Sequence, residues 1–153
     1  MDIILLEKET YGMQYDEDYY FKRVSFIKEK MNEIFRDLII FDSEIIKFSK
    51  KGYFKLTYKY LPLEYTIIIE NQGRNFTVEI RDSEGANTWL NRENPYDSNI
   101  DDLENIEIAV NNLSYILTKN NFKLYISKDG KWYRKDSNGY TRIKNMIEEL
   151  YGK

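Results

Sequence analysis

Residues 53–60 read Tyr-Phe-Lys-Leu-Thr-Tyr-Lys-Tyr, which sets Phe54, Leu56, Tyr58 and Tyr60 on one side of the chain and Tyr53, Lys55, Thr57 and Lys59 on the other. A period of two fits a β-strand with one face against a core, and excludes a helix. The alternation returns at Tyr65, Ile67 and Ile69 and again at Phe76, Val78 and Ile80, with Lys51-Gly52, Leu61-Pro62 and Asn71-Gln72-Gly73 between the runs. Turn formers at that spacing predict an antiparallel meander of three or four strands over 44–82, its first strand at 45–48.

On either side of the meander the period changes. Residues 16–38 place Tyr20, Val24, Ile27, Met31, Ile34, Phe35 and Leu38 three or four apart, the stripe of an amphipathic helix. A second helix is expected from about 102 to 119, with Leu103, Ile106, Val110, Leu113 and Leu117 on its apolar side and Asp101 and Glu104 at N-cap and N3. Phe122, Leu124 and Ile126 alternate next, Asp129-Gly130 forms a two-residue turn, and 132–135 returns as the partner strand of a β-hairpin. Ile143, Met146, Ile147, Leu150 and Tyr151 make a short C-terminal helix. Residues 83–100 keep neither period and form the longest irregular segment. Strands follow strands in this order, so the expectation is an antiparallel α+β fold. With 153 residues, the chain is expected to form one domain spanning 1–153.

Composition bears on chemistry through its zeros. Without a single His or Cys, the chain lacks the commonest general base, the commonest metal ligand, thiolate nucleophiles and disulfides. The start, Met1-Asp2-Ile3-Ile4-Leu5-Leu6, does not have the pattern of a signal peptide, and no apolar run is long enough to span a membrane, so a cytoplasmic location without membrane association is expected. Asp97, Asn99 and Asp101 copy the opening of a calcium loop, but Asp102 stands where the turn needs glycine and Ile108 where it needs glutamate. These acids are better read as complementing a helix N-terminus, and no metal or cofactor is expected. Asp82 with Glu84, or Glu104 with Glu107, could form an acid/base pair in a carboxylate-based enzyme, yet no phosphate-cradling loop or nucleophile elbow accompanies them.

Charge is distributed in blocks. Residues 76–110 hold nine acids against Arg81 and Arg92, a net of -7, whereas 119–144 hold eight bases against two aspartates, a net of +6. Residues 44–60 add five lysines against Glu44. Such polarity predicts a two-signed surface and supports two readings. In the first, Glu84, Trp89, Arg92, Tyr96, Asp97, Asp101 and Asp102 form an acidic, aromatic patch for a protein partner with a basic surface, such as a toxin or nuclease. In the second, Lys55, Lys59, Lys131, Trp132, Arg134 and Lys135 lie on basic strands that neutralise phosphates and stack bases, although lysines on strand edges also serve to block aggregation.

In its size, acidity, richness in asparagine and lysine, and lack of catalytic groups, the chain resembles two groups of bacterial inhibitors: the immunity proteins of polymorphic or contact-dependent toxins, and phage-encoded blockers of host defence, including anti-CRISPR proteins. The likeness is one of class, with no signature residues carrying it. It implies a non-enzymatic cytoplasmic binding protein that neutralises a protein partner. A nucleic-acid-binding module and a carboxylate-based enzyme are the alternatives.

Overall fold

A computed structural model describes residues 17–47, 53–72, 75–90 and 102–152. Helix α1, Glu17–Phe35, turns Tyr20, Val24, Ile27, Met31 and Phe35 inward, and all five are buried. A single 3-10 turn, Arg36–Leu38, follows, with Arg36 in the left-handed region at φ 50°. The chain therefore leaves the helix before Leu38, which is exposed rather than part of the stripe. Strand β1, Ile39–Lys47, begins at once, six residues ahead of the expected start.

The meander continues through β2 (Tyr53–Tyr60), β3 (Tyr65–Gln72) and β4 (Asn75–Arg81). Strand β5, Asn87–Trp89, lies in the segment expected to be irregular. After helix α2, Asp102–Lys119, come β6 (Tyr125–Lys128), β7 (Lys131–Asp136) and β8 (Gly139–Ile143). Helix α3, Met146–Tyr151, closes the described chain. The expected order of an N-terminal helix, a meander, a helix, a hairpin and a short C-terminal helix holds. Meander and hairpin are parts of one antiparallel sheet, in the order β1 to β8 without a crossover.

Local chemistry explains several boundaries. Asp129 and Gly130 both have positive φ, as a primed two-residue hairpin turn requires. Helix α2 ends on Asn120 at φ 52°, whose amide donates to the Ile116 carbonyl at 2.8 Å. Helix α3 starts where the Asn145 side chain accepts from the Glu148 amide at 3.0 Å, and stops at Gly152 in the left-handed region.

The register assigns the sheet its two faces. Phe54, Leu56, Tyr58 and Tyr60 share a face with Ile67, Ile69, Val78 and Ile80, and that face is buried. Helices α1 and α2 lie against it, α2 through Ile106, Val110, Leu113 and Leu117. Edge-to-face rings join the layers, Tyr20 with Phe54 at 6.4 Å and Phe35 with Tyr60 at 6.0 Å. The opposite face carries Tyr53, Lys55, Thr57 and Lys59 and among the described residues is exposed or half-buried, apart from Ile68, Glu79 and Tyr125. Among the described residues no helix is long and apolar enough to cross a membrane.

Leu113 is fully buried between helix and sheet, so Leu113→Ala should lower the unfolding free energy by about 3 kcal/mol. Ile147→Ala, at a side chain 69% exposed, should change it by no more than about 0.5 kcal/mol. Urea titration followed by circular dichroism measures both.

Candidate functional site

The blocks of opposite charge meet in the fold. Asp82 follows β4 and is buried in the turn to β5, where one carboxylate oxygen accepts from the Glu84 amide at 3.0 Å and the Ala86 amide at 2.9 Å. Its other oxygen accepts from the Lys135 ammonium, which arrives from β7. Lys135 also pairs with Glu84 at 3.0 Å, and Glu84 in turn accepts from the Tyr140 hydroxyl of β8. Lys128 sits 4.6 Å from the centre of the Tyr140 ring. The acidic turn and the basic hairpin thus compensate each other inside one cluster.

A second cluster holds helix α3 on the sheet. Arg134 donates to both carboxylate oxygens of Glu149 at 3.0 Å, and the Tyr125 hydroxyl donates to the same carboxylate at 2.9 Å. Arg134 also pairs with Asp136 at 3.1 Å. Beside α3, Trp89, Phe122, Tyr125, Glu149 and Tyr151 line a cleft of about 390 Å³. It opens where the ladder between β5 and β6 is reduced to the single pair Asn87 and Tyr125.

Every titration shift resolved among the described residues leads away from neutrality. Tyr140 and then Lys135 hold the Glu84 carboxyl below the usual range by hydrogen bonding, and Thr141 and then Arg134 do the same for Asp136. Burial opposes ionisation of Glu149, but hydrogen bonds from Arg134 and Tyr125 outweigh it and leave its pKa lowered. Hydrogen bonds to Asp82 and Glu84 raise Lys135, and those to Glu149 and Asp136 raise Arg134. Burial, with Glu70 adding to it, pushes the Tyr53 phenol up to about 12. These groups keep one protonation state across the physiological range. That suits permanent ion pairs better than proton transfer, which works best with a pKa near the working pH.

The residues expected to bind a protein partner are only partly placed. Glu84 is exposed and engaged as described, Trp89 is half-buried on β5, and Asp102 opens α2. Arg92, Tyr96, Asp97 and Asp101 lie outside the described residues, as does most of the calcium-like run. Of the basic set, Lys55 and Lys59 share one face of β2, where Lys59 donates to Thr66 at 3.1 Å. Lys131 and Trp132 are exposed next to each other on β7 and therefore point to opposite faces, while Arg134 and Lys135 are committed to the ion pairs above. Sequence reading did not single out Tyr125, Tyr140 or Glu149. Asp82, followed three residues later by Gly85, did carry a legible turn signal.

Asp82→Ala should cost about 2 kcal/mol, because it strips two turn amides and leaves a half-buried ammonium without its main partner. Glu84→Ala, on the exposed side of the same lysine, should leave the urea midpoint near that of the wild type. The pH dependence follows from the lowered carboxylates. Their contribution is complete above the ordinary glutamate value of 4.5 and is lost as the pH falls through the lowered folded values. The midpoint should be flat near neutrality and fall in acid, and Glu149→Gln should make that fall shallower.

No protein-family model matches this chain, and neither the curated proteins nor the solved structures contain a match.

Proposed function

We propose that this protein is a non-enzymatic cytoplasmic binding protein that inhibits a protein partner by covering a basic surface on it, as an immunity protein covers a toxin or an anti-defence protein covers a nuclease. The observation that carries this reading is the destination of the acidic block. Among the described residues, Glu79 pairs with Arg81, Asp82 and Glu84 with Lys135, and Glu107 with Lys30, all within the fold. The block's other five acids, Glu93, Asp97, Asp101, Asp102 and Glu104, fall within twelve consecutive residues that also contain Tyr96. Along the sequence, negative charge is densest in and after the segment that follows Trp89, and Glu104 is exposed on the first turn of α2. Dense charge of one sign around aromatic anchors accelerates encounter with a surface of opposite sign and fixes its register.

The fixed protonation states of the two ion-pair clusters favour a binding role over catalysis. The division of the basic set between faces and internal pairs argues against a continuous track for nucleic acid.

The test is capture of the partner by the tagged protein from its native cells, identification by mass spectrometry, and titration of the purified partner. One equivalent of protein should abolish the partner's activity. The triple variant D97K/D101K/D102K should slow association about tenfold or more, and raising salt should have the same effect on the wild type. Unchanged association would overturn the acidic-surface reading. A gel shift at low salt that weakens with Lys131→Ala would replace it with the nucleic-acid reading.

A further inference from the structure

Strand β1 is the outermost strand at one side of the sheet among the described residues, and eight of its nine residues are exposed or half-buried. Its ladder to β2 sets Ile40 opposite Lys59 and Ile45 opposite Lys55, so both isoleucines lie on the face turned away from the helices. They are 54% and 41% exposed. Five positions apart in a regular strand, they would point to opposite faces. The register shift between Phe41 and Ser43 makes Asp42 the extra residue of a β-bulge, and that brings them to the same side.

This bulge decides what can pair with the side of β1 that no described strand occupies. When two identical regular strands pair antiparallel about a two-fold axis, only residues an even number apart can oppose each other on one face. In β1 the bulge permits an odd spacing instead. Ile40 then opposes Ile45 of the second copy, Ile39 opposes Ile46, Phe41 opposes Glu44 and Asp42 opposes Ser43. Both isoleucine pairs fall on the correct faces, and each Asp42 carboxylate meets a serine hydroxyl beside the axis. Glu44 enters with its charge already compensated by Lys28 of α1. In that pairing Leu38, which ends the 3-10 turn, is 45% exposed and is joined to Leu61 through a 2.8 Å backbone hydrogen bond, would approach the aliphatic stem of Lys47 of the second copy. A bulge on an edge strand deters regular strands, whereas this one is matched by an identical strand.

We propose that β1 pairs antiparallel with β1 of a second copy, about a two-fold axis between Asp42 and Ser43, to give a homodimer with one continuous sheet. The apolar edge is covered by its own mirror in sequence, the isologous form of strand addition.

Sedimentation equilibrium of the full chain, from micromolar to millimolar concentration, should show reversible dimerisation. Ile40→Lys and Ile45→Glu should each weaken it at least tenfold, since a single substitution alters the interface twice, while circular dichroism shows the fold intact. The double variant I40K/I45E sets opposite charges against each other in the proposed register and should recover most of the lost affinity. The variant I40K/I45K should be weaker than either single change. A monomer at every concentration would overturn the proposal. So would a dimer indifferent to Ile40→Lys, or a double variant I40K/I45E no tighter than the single variants.

Discussion

The buried carboxylate of Asp82 holds together two parts of the sheet that backbone pairing alone joins weakly. Strands β1 to β4 are connected by ladders of six to eight residue pairs, but β5 and β6 share one. Without a further tie, β6 to β8 would be a separate ribbon of mostly exposed strands, short of the hydrophobic face that independent stability needs. Asp82 supplies the tie by closing its own turn with two amide contacts and fixing the Lys135 ammonium of β7 with its second oxygen. Desolvating two ions has a cost, and it is lessened here because Lys135 stays one-third exposed and has Glu84 as a second partner.

Dependence on side-chain pairs in this half explains which parts of the fold could be read in the sequence. Helices α1 and α2 and strands β2 to β4 bury continuous stripes, so their periods are long and regular and their positions follow from Tyr20 to Phe35, Ile106 to Leu117 and Phe54 to Tyr60. The Asp129-Gly130 turn was legible because its dihedral angles demand those residues. Strand β5 was not legible, since three residues are too few to establish a period. Strand β8 was missed because its exposed Tyr140, Thr141 and Arg142 show no buried side. Nor does the sequence announce the end of α1: Arg36 adopts a left-handed conformation usually left to glycine or asparagine.

The candidate site was legible in its charges but not in their partners. Runs of one sign along a sequence suggest free fields, yet antiparallel neighbours bring distant segments together. Asp82 and Lys135, 53 residues apart, cancel each other. Net charge by segment therefore overstated both the acidic and the basic surfaces. Among the described residues, internal pairs take up Glu79, Asp82 and Glu84 on the acidic side and Arg134 and Lys135 on the basic side, so blocks that read as uniform in the sequence are partly neutralised in the fold.

Tyrosine takes over structural duties that histidine often performs elsewhere. Tyr53 donates to Glu70, Tyr125 to Glu149 and Tyr140 to Glu84, and each contact joins different elements of the fold. A phenol brings an apolar ring to the sheet and a neutral donor to the carboxylate, so only one charge of each pair must leave water. Burial, then Glu70, pushes the Tyr53 phenol up to about 12, and Glu84, then burial, raises that of Tyr140, so both hydroxyls remain donors well beyond neutral pH. Histidine in the same places would change its charge close to neutrality and would loosen or tighten the contacts with every pH excursion. With 14 tyrosines and no histidine, the chain joins these elements through contacts that are indifferent to pH near neutrality.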